Sequence, residues 1–307
     1  MIRRSSVSCI STVVCVLFVL LVAVTPARAQ STAPPQDPAA AASAAQQAPP
    51  DDDDGRLDPI EPDFSIINLP TTLRLPKGAG DFHLTHRFNL NLICGDTEGE
   101  CFKTRAGGLL GLDSGANIGL EFRWGVARHL QAIVLRTSLS QVVQLSVKYD
   151  AWHQNASRPL SISGIVSIDG DNNLGASTPY GSESHYSPAV GLVISRKLGN
   201  VLALYADPFW VHNTAASGLV TRDTGFIGLG ARLRVSSTVN LLGEVSPRLG
   251  GLVIRDPQFA FAIEKRVGGH VFALTFTNNP GTTFRQISQG GVPSTLNLGF
   301  NLTRKFF

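Results

Sequence analysis

After position 30 the 307-residue chain contains no run of 18 apolar residues, which excludes a bundle of membrane-spanning helices. Four cysteines are too few for a disulfide-dense miniprotein. The 30 glycines are too few for a collagen-like period. Charged residues make up only 16% of the chain against 43% apolar ones, so it is not a disordered polymer along its whole length. Clusters of five or more basic residues are missing, which argues against a nucleic-acid partner. Gly-x-Ser-x-Gly, His-Glu-x-x-His and Cys-x-x-Cys do not occur, so the common hydrolase, metalloprotease and redox signatures are absent.

The amino terminus has the form of an export signal. Arg3 and Arg4 precede an apolar stretch from Val13 to Val24, and Ala27-Arg28-Ala29 follows as a small-x-small cleavage pattern. Twelve apolar residues are too short to span a bilayer. Cleavage is expected after Ala29, removing Cys9 and Cys15, neither of which stands at the junction where a lipid-bearing cysteine is needed. The mature chain carries 23 basic and 23 acidic side chains, a neutrality made of opposites. Residues 30–80 sum to −5 and the remainder to +5.

Residues 30–63 are mostly Ala, Pro, Gln, Ser and Asp, including the tetrad Asp51 to Asp54, and bury too little surface to offset their ordering entropy. They are expected to form a disordered periplasmic tail. Residues 64–80, from Phe64 to Gly80, are apolar enough to pack on something and are expected to be a periplasmic lead-in segment.

From Asp81 onward the apolar residues recur with period two. Phe82, Leu84, His86, Phe88 and Leu90 alternate with His83, Thr85, Arg87 and Asn89; Val143, Leu145, Val147 and Tyr149 oppose Gln144, Ser146, Lys148 and Asp150. The pattern returns often enough to predict twelve half-buried strands. A soluble sandwich also alternates, so the second face decides. It holds Arg87, Glu121, Arg123, Lys148, Asp150, Arg232, Arg234, Glu244, Glu264 and Arg266. An apolar outer face over a charged inner face is the pattern of an all-β, transmembrane antiparallel β-barrel of the outer membrane, in which lipid replaces the core.

The links give an independent check, because connections in such a barrel alternate long and short. Short links are expected at 125–128, 155–159, 198–200, 236–237 and 268–269, all at even positions, whereas the third, near Ser138 to Ser140, is short where a long loop belongs. The 227 residues from 81 to 307 allow about 19 per strand with its link, enough for a tilted spanning strand of roughly 10 residues. Phe82, Trp124, Tyr149 and Phe306 are expected near the periplasmic interface, with Tyr186 and Trp210 near the outer one. Pro188 and Pro208 fit poorly inside strands and are expected at strand ends or bulges.

The final strand alternates through Leu296, Leu298, Phe300 and Leu302 to Phe306, with Phe307 out of register. At this point the chain resembles bacterial outer-membrane β-barrel proteins. The resemblance implies that Phe300, Phe306 and Phe307 form a terminal signal read by the barrel-assembly machinery. Ile67 to Leu73, Leu84 to Phe88, Gly111 to Ala116, Gly230 to Leu233, Glu244 to Arg248 and Glu264 to Arg266 look like an uncharacterised family of such barrels, over about residues 64–307. It implies fold, location and an outer-membrane lipid partner, and no established activity.

Cys94 and Cys101, with six residues between them in the first long loop, suit a disulfide in an oxidising compartment. A cation site from Asp96, Glu98 and Glu100 is the alternative. Asp169-Gly-Asp171-Asn-Asn173 begins like a calcium loop but has Leu174 where that turn needs glycine, so it reads as a polar loop. No metal and no cofactor is expected. His83 and His86 face opposite sides of a strand, and Gly228 and Gly230 read as places of close backbone approach. The luminal charges allow two readings: a salt-bridged, filled interior, or a narrow solute channel whose selectivity they set. Twelve strands lie between filled and open sizes. An outer-membrane lipid hydrolase is the enzyme alternative; it needs a Ser and His on the lipid face, and Ser184, His185 and Ser187 are the one neighbourhood that offers them.

Overall fold

The computed structural model describes residues 60–93, 104, 106–171, 186–214, 223–251 and 256–306. The export signal, the tail up to residue 59, Cys94, Cys101, the acidic residues between them, Ser184, His185 and Phe307 lie outside the described residues.

Alternation produces strands as the sequence predicts: β1 (Gly80–Asn91), β2 (Ala116–Ala127), β3 (Leu130–Thr137), β4 (Val142–Trp152), β5 (Ser161–Asp171), β6 (Tyr186–Leu198), β7 (Leu202–Val211), β8 (Thr224–Arg234) and β9 (Val239–Ser246). A three-residue strand β10 (Arg248–Gly250) precedes β11 (Gln258–Val267), β12 (His270–Thr277) and β13 (Asn297–Phe306). Every pairing is antiparallel between neighbours, and β1 pairs with both β2 and β13. Since β9 pairs with both β8 and β11, the sheet closes into a barrel of twelve strands, with β10 added to β8 outside the ring order. Closure leaves no unpaired edge, the condition for a sheet in lipid.

The two faces separate by chemistry. Along β4, Val142, Gln144, Ser146, Lys148 and Asp150 are buried inside, while Leu145, Val147 and Tyr149 face out. Phe122, Trp124, Val166, Phe261, Ile263 and Phe272 belong to the same outer apolar surface. Trp124 and Phe306 both pair with Gly80 at the short-turn end, and Tyr186 and Trp210 stand at the other, as expected of aromatic girdles. Short links follow every second strand around the ring, β2, β4, β6, β8 and β11. In the tightest, Val267 pairs with His270 around Gly268, whose φ of +58° is the conformation a two-residue hairpin demands. The third link is short as read, a single 3₁₀ turn at Leu139–Gln141.

Three expectations need correction. Pro188 and Pro208 lie inside β6 and β7. The β6–β7 ladder skips the residues opposite Asp207 and Pro208, and the Asp207 carboxylate accepts the Ile194 amide at 3.3 Å there, a contact the proline cannot supply. β5 extends to Asp171, so Asp169 is a buried strand residue and not part of a loop. The largest difference concerns residues 60–79. They are packed inside the barrel up to Leu75, with Lys77 and Gly78 exposed at its end, so most of 64–80 is an insert in the lumen and not a periplasmic lead-in, and Glu61 and Asp63 are ordered and buried.

Candidate functional site: a hairpin held in the lumen

The inserted segment forms its own small hairpin. Ser65 and Pro70 form an antiparallel bridge, the Thr71 amide donates to the Phe64 carbonyl at 2.8 Å, and the Ile66 amide donates to Leu69 at 2.8 Å across the tip. A tight tip points its remaining N–H groups outward together, making a concavity for an anion. Glu244 of β9 fills it. Its carboxylate accepts the backbone N–H groups of Ile67, Asn68 and Leu69 at 3.0–3.2 Å and the Asn68 side-chain amide at 2.7 Å.

The other wall charges seize the hairpin's carbonyls and side chains. Lys148 Nζ donates to the Thr71 and Leu73 carbonyls at 2.8 and 2.7 Å and lies 3.4 Å from Asp150. Arg232 donates to the Ser65 carbonyl at 2.9 Å and to Glu264 at 3.0 Å. Arg87 donates to the Asn68 side-chain carbonyl at 3.0 Å and to Asn301 at 2.8 Å. Arg123, paired with Glu121, donates to Ser65 Oγ at 2.6 Å and sits over the Phe64 ring, 5.4 Å from its centroid. Lys305 donates to the Pro62 carbonyl and covers the same ring at 4.8 Å. Charges taken out of water need such partners, and here the partner is largely one segment of the same chain.

Apolar contacts complete the fit. Ile66, Ile67 and Leu69 are at most 2% exposed and join Tyr205, Phe209, Phe226 and Leu242 of the wall in one cluster. Gly228 and Gly230 on β8 make the room: a Cβ at Gly230 would stand 2.3 Å from Ile66 Cδ1, and one at Gly228 2.6 Å from a Leu69 methyl. The close approach read from the sequence is therefore of hairpin to wall.

Asp63 anchors the hairpin base, accepting Thr303 Oγ1 at 2.8 Å and lying 3.8 Å from His83. Burial pushes its carboxyl up, but His83, Lys305, Arg123 and the Thr303 hydroxyl outweigh that and hold it below the ordinary aspartate value.

A second insert comes from the opposite end. The β12–β13 link carries a short helix, α1 (Phe284–Ser288), started by Thr283, whose Oγ1 accepts the Gln286 amide while Gln286 Oε1 accepts the Thr283 amide. Phe284 stacks on Phe209 at 4.3 Å, Ile287 is fully buried, and Gln286 Nε2 donates to Leu139 O. Thr282 and Phe284 of this loop share the lining of one cavity with Phe64, Ser65, Asn68 and Pro70 of the hairpin.

Of the ten charges read as luminal, Arg87, Arg123, Lys148, Arg232 and Glu244 touch the hairpin, and Glu121, Asp150 and Glu264 support those five. Arg234 turns to the Ser236 carbonyl of a short link at 3.1 Å, and Arg266 is half-buried one residue before another; they rim the barrel end. Asp81, His83 and Lys305 face the same interior and follow from the phase that placed Arg87 and Phe306, yet they stand at strand ends where the pattern starts or stops. Phe300 stacks with His86 at 4.9 Å on the outer face, and Phe306 is exposed there. Ser187 is buried toward the lumen, donating to the Asn213 carbonyl at 2.6 Å, so it cannot serve chemistry on the lipid face. Among the described residues no group of three or more His, Cys, Asp or Glu side chains is placed to hold a metal ion.

Residues 63–306 match the family described as membrane bound beta barrel domain (DUF5777). No curated protein sequence matches the chain. Among solved structures the fold is similar to the COG4313 outer membrane channel from Pseudomonas putida F1, with 12% identity over 76% of this chain and 97% of that one, at a TM-score of 0.44. It is similar also to the NanC porin, with 9% identity over 75% and 100% of the two chains and a TM-score of 0.47. Acinetobacter baumannii Omp33 gives 8% identity over 75% and 99%, at 0.39.

Proposed function

The chain belongs to the membrane bound beta barrel domain family (DUF5777), and from that premise we propose that it is an outer-membrane channel kept shut by its own hairpin, residues 63–72. One observation carries this reading. Four wall charges, Arg87, Lys148, Arg232 and Glu244, bind groups of a segment that is joined to the barrel only through residues 73–79. A barrel meant to stay filled can pair such charges with one another across the wall. Charges spent on a detachable segment make closure reversible, since each hydrogen bond to a charged group contributes only about 1.5–3 kcal/mol and water can replace it. Twelve strands leave a lumen that side chains alone do not fill, so displacing the hairpin opens a path.

In this reading the chain is exported, cut after Ala29, and inserted by the barrel-assembly machinery through its final strand, with lipid as its lateral partner and no enzymatic role. The apolar cluster running from Ile66 to Phe284 favours a second reading, a permanently closed structural barrel. Conductance in planar bilayers separates the two. The full mature chain should stay mostly closed and a variant lacking residues 60–73 should conduct steadily. A variant that folds, judged by heat-modifiable mobility on gels, yet stays silent sinks the channel.

A further inference from the structure

Between the hairpin, the inner wall of β2–β5 and the tip of the β12–β13 loop lies a chamber with about 30 Å³ of water-accessible volume. That is room for two or three waters or one solute of about four heavy atoms. Its lining is divided. Ile133, Ile165 and Phe284 form an apolar side, and Glu121, Arg123, Gln144, Ser146 and Thr282 a polar one. Three polar atoms there, Arg123 Nη1, Gln144 Nε2 and Thr282 Oγ1, have no hydrogen-bond partner among the described residues. Arg123 Nη1 lies 3.5 Å from Asp81, too far for a good bond. Unsatisfied buried donors are costly, and three residues that line this one void carry them.

We infer that this chamber is a binding site for a small uncharged carboxamide-like solute. The orphan donors ask for a carbonyl oxygen. The Glu121 carboxylate, which meets Arg123 through one oxygen, has lone pairs left for a ligand N–H. Net charge is disfavoured, because the cations Arg123 and Lys148 are already faced by Glu121, Asp81 and Asp150. The apolar wall takes a methyl or methylene. As the solute class of a channel this assignment rests on the proposed function; as a binding site it stands on the chamber alone.

The test uses ¹³C-acetamide and the full mature chain in lipid nanodiscs, read by saturation transfer from protein to ligand. Wild type should transfer to acetamide, while acetate and methylammonium should give no more than the background of Ser146→Leu, whose side chain fills the chamber. Gln144→Met, which keeps the volume and removes one donor, should weaken acetamide about tenfold, the worth of one hydrogen bond. Equal transfer to wild type and to a folded Ser146→Leu, or acetate binding as well as acetamide, overturns the assignment. Acetamide binding by the full mature chain, with silence of the folded hairpin-deleted variant, upholds the chamber and sinks the channel; a conducting hairpin-deleted variant with no acetamide binding by the full chain does the reverse.

Discussion

Glu244 holds Asn68 twice, taking its backbone N–H at 3.0 Å and its side-chain amide at 2.7 Å, on a carboxylate that also receives the amides of Ile67 and Leu69. The negative charge is what a ring of donors at the hairpin tip requires. Glu244→Gln keeps the shape, removes the charge and turns one acceptor into a donor pointed at donors. Docking should weaken by about 1.5–3 kcal/mol. Hydrogen exchange at residues 67–69, followed by mass spectrometry in nanodiscs, should then quicken about tenfold to a hundredfold. Unchanged exchange in a folded variant means the tip is held by its apolar contacts alone.

Gly230 and Ile66 test that apolar half. A Cβ at Gly230 collides with the end of a flexible side chain, which yields to alanine more readily than to a branched residue. Gly230→Val should therefore cost about 1–3 kcal/mol of docking, as overpacking does. Ile66→Ala alone also weakens docking by leaving a void, but the double variant should be more stable than the two single losses predict. Additive losses, measured by the same exchange, would place the tip away from β8.

The barrel was legible in the sequence because its cause is local. Alternation at Phe82 to Phe88 or Val143 to Tyr149 states which face meets lipid, and lipid contact has no partner to identify. The hairpin was not legible, although Ile66, Ile67 and Leu69 plainly called for burial, because what buries them is a wall 160 residues further along and a pair of glycines. Asp63 and Glu61 read as the end of an acidic tail, since nothing nearby in sequence shows that Thr303, Lys305 and Tyr205 wait for them. Phase alone offers each luminal charge a face and no partner, because a charge pattern gives a side and not a contact.

Asp63 sets the response to acid. Its carboxyl is held below the ordinary aspartate value of 3.8 by His83, Lys305, Arg123 and Thr303, against the burial that opposes ionisation. A carboxyl depressed in the docked state adds stability that is fully present above its undocked value and is lost as pH falls through the docked one. The contribution of Asp63 to hairpin protection should thus be kept above about pH 4 and lost below it. Asp63→Asn should exchange faster already at pH 7 and lose the steep acid limb. A variant that keeps the acid limb assigns it to another group.

The β12–β13 loop enters the same lumen, and its part in the gate is separable from the hairpin's. Phe284→Ala removes the ring stacked on Phe209 and should loosen the loop by about 3–5 kcal/mol. With the hairpin as the whole gate, Glu244→Gln conducts in planar bilayers as often as the double variant, and Phe284→Ala alone stays as closed as the full mature chain. A double variant that opens far more often than Glu244→Gln makes the loop a second barrier in series with the hairpin.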